Sequence, residues 1–179
     1  MIEIRWLARA GQGAKTASQL LAMAQLRAGR FVQAFPEYGP ERGGAPLRTF
    51  NRADDHPIRR RYGITEPDVV VVIEPSLIGE VDVTAGLPAD GLLIVNGQPP
   101  AGFAGRVQVI DAAAIAAPRS VNVVMLGALA AAIGEPSLDD LQACARQLFG
   151  RKFDATALAA TEAAIAGGFA AATPAEAPA

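Results

Sequence analysis

Apolar and polar positions along this chain repeat with two periods, and stretches of the two kinds take turns. Ile2 to Leu7 predicts a first strand, and Arg9-Ala10-Gly11-Gln12-Gly13 a tight turn. Ala17, Leu20, Leu21 and Ala24 then recur at helical spacing, which predicts a helix over 14–28 with Gly29 as its stop. Phe31 to Phe35 reads as a short second strand. Leu47 to Ala53 places Leu47, Thr49 and Asn51 on one face and Arg48, Phe50 and Arg52 on the other. That mixture suits an edge strand, with 57–62 as its hairpin partner after the turn at Asp54-Asp55.

The run Asp68-Val69-Val70-Val71-Val72-Ile73-Glu74 has no alternation, so its strand is buried on both faces, as in a parallel sheet. Pro75 ends it, and a short helix follows near Leu77 to Val81. Gly91 to Asn96 and Arg106 to Ile110 are further strands, the latter ending at Asp111. Val121 to Ile133 is an apolar helix closed by Gly134. Ser137 caps a helix over 138–149, with Asp140 at the capping-box position. A last helix covers 155–166 and stops at Gly167-Gly168. The expected fold is α/β: an open, mostly parallel sheet flanked by helices on both faces, one domain over 1–168 with a small edge hairpin. Residues 169–179, rich in Ala, Pro and Glu, are expected to be a disordered tail. The rim at the carboxyl ends of the strands is the expected place for a ligand, and Glu74-Pro75-Ser76, Asn96 and Asp111 fall on it.

Composition narrows the function classes. The formal net charge of −2 argues against wholesale nucleic-acid binding, although eight arginines lie between Arg27 and Arg61 against Glu37, Glu41, Asp54 and Asp55. The single cysteine, Cys144, can form neither an internal disulfide nor, alone, an iron–sulfur site. His56, in Asp54-Asp55-His56-Pro57, reads as an exposed turn residue. No apolar run reaches the ~18 residues of a membrane span, and the chain opens directly on a strand pattern, so a soluble, cytoplasmic protein is expected.

Two segments carry chemistry. Ala34-Phe35-Pro36-Glu37-Tyr38-Gly39-Pro40-Glu41-Arg42-Gly43-Gly44-Ala45-Pro46 cannot be a helix or a central strand, because prolines and glycines interrupt it. Its aromatics and charges mark a shaped loop that presents side chains, with Phe35, Pro36, Glu37, Tyr38, Glu41 and Arg42 as the candidate partner interface. The turn Gly11-Gln12-Gly13 is neither a Walker loop, since Ala14 separates Gly13 from Lys15, nor a dinucleotide fingerprint, since Thr16 stands where the third glycine belongs. Its glycines permit close approach of a ligand, the helix behind it favours an anion, and Gln12 offers an amide. The structural alternative is tight strand-to-helix packing.

Taken together, Arg9-x-Gly11-Gln12-Gly13-Ala14 and Gln33-Ala34-Phe35-Pro36-Glu37-Tyr38-Gly39-Pro40-Glu41-Arg42-x-Gly44-Ala45-Pro46 resemble the gamma subunit of 2-oxoacid:ferredoxin (acceptor) oxidoreductases. Glu66-Pro67-Asp68, Asp90-Gly91 and Asn122-x-x-Met125-Leu126-Gly127-Ala128 agree, and the resemblance spans residues 2–165. Ala10, where many members have glycine, and Val121, where proline is usual, depart from the pattern. The resemblance implies a subunit with no catalytic residue of its own in an enzyme that oxidatively decarboxylates a 2-oxoacid to an acyl-CoA. Pyruvate, 2-oxoglutarate and branched or aromatic 2-oxoacids such as indolepyruvate or phenylglyoxylate are the open choices. It implies alpha, beta and delta-type (ferredoxin-like) partners, and ferredoxin or another electron acceptor. Thiamine diphosphate, Mg and [4Fe–4S] clusters would sit in the partners, with no metal or cofactor bound by this chain alone. Coenzyme A would be shared, and Gly11, Gln12, Gly13, Arg42 and Asn122 are the cofactor-binding candidates. Two other classes stay open: a free-standing nucleotide-binding α/β module and a purely structural scaffold subunit.

Overall fold

The computed structural model describes residues 1–37 and 44–172. Six strands form one sheet in the order β2-β3-β1-β4-β5-β6. They are β1 (Ile2–Arg9), β2 (Phe31–Pro36), β3 (Pro46–Asp54), β4 (Val69–Val72), β5 (Leu92–Asn96) and β6 (Arg106–Ile110). β1, β4, β5 and β6 pair in parallel, whereas β3 lies antiparallel between β1 and β2. The helices are α1 (Ala14–Arg27), α2 (Ala112–Ile115), α3 (Val121–Ile133), α4 (Leu138–Phe149) and α5 (Ala155–Ala171).

The pleat divides the core. Ile4, Trp6, Val71, Ile94 and Ile110 face one side and pack against buried residues of all five helices. Leu7, Val70, Val72, Leu93 and Val95 face the other, covered by Leu77 and Val83 from irregular segments and a 3₁₀ turn over Pro75–Gly79. The helices therefore share one face, and the expectation of helices on both faces is corrected. The β4–β5 connection carries the 3₁₀ turn over Pro75–Gly79 and no α-helix, and the β5–β6 connection, 97–105, is shorter than a crossover helix needs. Leu20 and Leu21 on α1 are fully buried, each contributing about 2 kcal/mol by leaving water.

Two further expectations give way in the β2–β3 region. β3 is an inner strand, not an edge, and its hairpin partner is β2; residues 57–62 form no strand. The polar residues that made β3 look like an edge are buried and individually satisfied. Asn51 accepts from the indole Nε1–H of Trp6 at 2.8 Å and donates to the Ser18 carbonyl at 2.9 Å. Arg52, with no exposed surface, pairs with Glu3 at 2.5 Å and donates to the Tyr62 carbonyl at 2.7 Å, its guanidinium 5.4 Å from the Phe35 and Tyr62 rings. Burying polar groups with partners avoids the desolvation loss that would otherwise exclude them from an inner strand.

The last helix does not stop at Gly167-Gly168 but continues to Ala171, so residues 169–171 belong to it and not to the expected tail. The reason lies in the crossing of α3 and α5. A Cβ on Gly127 would stand 2.0 Å from the Ile165 carbonyl oxygen, and one on Gly168 would stand 1.9 Å from that of Val124. The glycines are there for close backbone approach, which outweighs their ~1 kcal/mol helix penalty. Residues 173–179 lie outside the described residues.

Candidate functional site

Three parallel neighbours, β1, β4 and β5, end at the same rim. A cavity of about 630 Å³ opens there between the turn Gly11-Gln12-Gly13, Glu74 beyond β4, Asn96 at the end of β5, and Arg119 and Asn122 at the start of α3. The sequence had put Glu74 and Asn96 on this rim.

The turn is shaped by positive φ at Gly11 and Gly13, +93° and +79°. Space also closes Gly13 to a side chain, since a Cβ would meet Nδ2 of Asn122 at 2.5 Å. That Nδ2 donates to the Gly13 carbonyl at 3.1 Å and so ties α3 to the entry of α1. Asn122 lies inside the first turn of α3, behind Ser120 at the N-cap. Neither α1 nor α3 has a side-chain cap. The first N–H groups of two long helices are thus left for solvent or a ligand on the same rim, and both dipoles favour an anion there. Arg119, exposed on a 3₁₀ turn before α3, makes no ion pair among the described residues.

Gln12 does not offer its amide outward. Its Oε1 accepts from the Arg9 backbone N–H at 2.7 Å, and its Nε2 donates to the Glu74 carboxylate. Burial works to raise the Glu74 carboxyl, but the hydrogen bonds from Gln12 and Ser76, with Arg9 nearby, hold it below the ordinary glutamate range. Arg9 reaches across the same wall, donating through Nη2 to Ser76 Oγ at 2.8 Å and to the Glu80 carboxylate. Asn96 braces the floor, donating to the Ile73 carbonyl at 3.1 Å and accepting from the Ala112 N–H at 3.2 Å.

The structure thus brings Gly11, Gln12, Gly13 and Asn122 into one cavity. Phe35, Pro36 and Glu37 line a different one. Glu37 lies 3.5 Å from Arg48 in an ion pair. Tyr38, Glu41 and Arg42 fall outside the described residues. Sequence reasoning did not single out Arg119 or the use of Gln12 by Glu74. Pro118, which opens the turn before α3, was the available signal for the first. Nothing local could reveal the second, because the partners are far apart in the chain.

Residues 3–171 match the profile of a family described as pyruvate ferredoxin/flavodoxin oxidoreductase. The common gamma subunit of the pyruvate/ketoisovalerate oxidoreductases of Thermococcus kodakarensis is 44% identical over 161 residues, covering 83% of this chain and 87% of that one. The crystal structure of the pyruvate oxidoreductase subunit PORC of Thermotoga maritima superposes with a TM-score of 0.81 at 40% identity, covering 94% of this chain and 95% of the other. A 2-oxoglutarate:ferredoxin oxidoreductase of Magnetococcus marinus, solved with 2-oxoglutarate, coenzyme A and succinyl-CoA bound, shares the fold. Its TM-score is 0.82 at 21% identity, and the match covers 99% of this chain but 33% of that longer one.

Proposed function

The chain belongs to the pyruvate ferredoxin/flavodoxin oxidoreductase family, and from that premise we propose that it is the gamma subunit of a CoA-acylating 2-oxoacid oxidoreductase, where it helps to hold coenzyme A. The observation that carries the reading is the convergence of two uncapped helix starts and Arg119, which has no ion pair among the described residues, on one rim cavity beside a glycine turn. Coenzyme A is the acyl acceptor of such a reaction and carries phosphates. In this reading the N–H groups that open α1 and α3, with Arg119, meet those phosphates, and Gly11 and Gly13 let the backbone come close. Arg42 is a further candidate from the segment 38–43. Gln12 and Asn122 act on the shape of the turn rather than on the ligand, since their amides are engaged within the chain.

Decarboxylation and electron transfer belong in this reading to alpha, beta and delta-type partners, which carry thiamine diphosphate, Mg and [4Fe–4S] clusters and deliver electrons to ferredoxin or another acceptor. One buried cysteine could not ligate such a cluster. The 2-oxoacid is chosen by the partners, and a gamma subunit common to pyruvate and ketoisovalerate enzymes in a relative fits that division. Among the described residues no helix is long and apolar enough to cross a membrane. A cytoplasmic complex fits that chemistry.

A specific observation favours a second reading, a purely structural subunit. Glu74 puts a carboxylate into the cavity wall, and it has already claimed the Gln12 amide. Steady-state kinetics of the assembled enzyme with Arg119→Ala separates the two. The coenzyme A role predicts a KM for coenzyme A raised ~10-fold, the loss of one charge-assisted contact, with the KM for the 2-oxoacid unchanged. An unchanged KM for coenzyme A in an intact complex leaves the structural reading.

A further inference from the structure

The sheet face without helices holds a second cavity, of about 540 Å³, beneath the β2–β3 hairpin. Phe35 and Phe50, with ring centroids 5.4 Å apart, supply an apolar wall. Its charged lining consists of Arg5, Arg48, Arg61 and Glu37 among the described residues. Arg5 is the unusual member. It projects from the middle of β1 and is 6% exposed. Its Nη2 donates to the carbonyls of Val83 at 3.1 Å and Ala85 at 2.7 Å, which fastens the 82–86 segment to the sheet. Its Nε is buried with no hydrogen-bond partner, and no carboxylate pairs with it, among the described residues.

An arginine cannot shed its proton to escape burial. Burial, and after it the neighbouring Arg48, push the Arg5 guanidinium below its usual value, while Asp82 and Glu37 act from a distance in the other direction. Glu37 is engaged with Arg48 at 3.5 Å, and Arg61 has no ion pair among the described residues. Guanidinium groups thus outnumber carboxylates by two around this cavity, three against one. A buried cation whose only partners are neutral carbonyls is stabilised by any anion that can reach it.

We propose that this cavity binds a carboxylate carried on an apolar or aromatic body, with the carboxylate held by Arg5 and Arg61 and the body laid on Phe35 and Phe50. A monoanion suits it better than a phosphate dianion, because the Glu37 carboxylate shares the rim. The site is independent of the coenzyme A reading, since none of its residues lines the rim cavity. The carboxylate belongs either to a free small molecule or to a side chain of a partner subunit.

Benzoate is the probe, with inorganic phosphate in parallel, titrated into the full chain while the arginine Nε–H resonances are followed by NMR. The expected result is a saturable shift of the Arg5 Nε–H and of the Phe35 and Phe50 rings, with phosphate weaker. The Arg61→Ala variant should weaken benzoate ~10-fold, and the position is exposed, so an unchanged amide spectrum confirms that its fold is kept. Repeating the titration on the assembled complex separates the sources: benzoate excluded there assigns the site to a partner's carboxylate, and benzoate still bound assigns it to a free ligand. No saturation at tens of millimolar, or a shift that Arg61→Ala leaves untouched, overturns the proposal.

Discussion

The side-chain amide of Asn122 donates to the carbonyl of Gly13 across 3.1 Å, joining the first turn of α3 to the entry of α1. The same amide fills the space that a side chain at 13 would need, 2.5 Å from a Cβ there. Gly13→Ala is therefore expected to destabilise the chain by about 2 kcal/mol, from the positive φ together with the clash. Asn122→Ala alone should cost about 1 kcal/mol, the loss of one hydrogen bond. The double variant should be less destabilised than the sum, because removing the Asn122 amide relieves the clash. Urea denaturation of all three variants measures that coupling.

Gly168→Ala tests the crossing of α3 and α5. On an exposed helix this change stabilises by about 1 kcal/mol. Here the new methyl would stand 1.9 Å from the Val124 carbonyl oxygen, a backbone atom that cannot step aside without moving α3. The sign should reverse, with a loss of about 3 kcal/mol on the scale of overpacked cores, read as a lower denaturation midpoint.

Arg52→Ala leaves the Glu3 carboxylate, 13% exposed, without its 2.5 Å partner and opens the gap between Phe35 and Tyr62. A loss of about 3 kcal/mol is expected, the cost of breaking a buried pair by removing one member. Arg52→Met, which fills the gap but leaves Glu3 only its longer ion pair with Arg60 at 3.7 Å, should recover part of that loss, and Glu3→Gln added to it should recover more. Thermal unfolding of the series checks the order.

Glu74 gives a pH dependence. Its folded-state value is depressed, so its contribution to stability is present above the ordinary glutamate value and is lost as pH falls through the lower, folded-state value. Gln12→Leu removes the hydrogen bond to its carboxylate, so the Glu74 titration should move to higher pH. Carboxyl-detected NMR titration follows it directly. An unmoved Glu74 midpoint would show that the Gln12 contact does not hold the carboxylate in its charged form.

Much of this fold was legible because local pattern and tertiary environment agree. The unbroken run Val69–Ile73 can only be buried on two faces, and it is. Gly134 at φ +77° and the Ser137 cap close α3 and open α4 where the chain signals them. The sequence misled where a distant partner changed a residue's meaning. Asn51 and Arg52 look like solvent-facing residues until Trp6, Glu3 and Tyr62 are in place to satisfy them. Gly167-Gly168 looks like a stop until the α3 backbone lies against it. The candidate site followed the same rule. Its glycine turn was visible as a motif, whereas the use of Gln12 by Glu74 and the tie from Asn122 to Gly13 join segments 62 and 109 residues apart in the chain.

Affinity purification of the tagged chain from its native host decides whether it works as the gamma subunit of a CoA-acylating 2-oxoacid oxidoreductase. The expected companions carry thiamine diphosphate and iron–sulfur clusters, and the preparation should reduce ferredoxin or a dye only when a 2-oxoacid and coenzyme A are both supplied. A chain recovered alone, without those cofactors and without that activity, would rule out the gamma-subunit role.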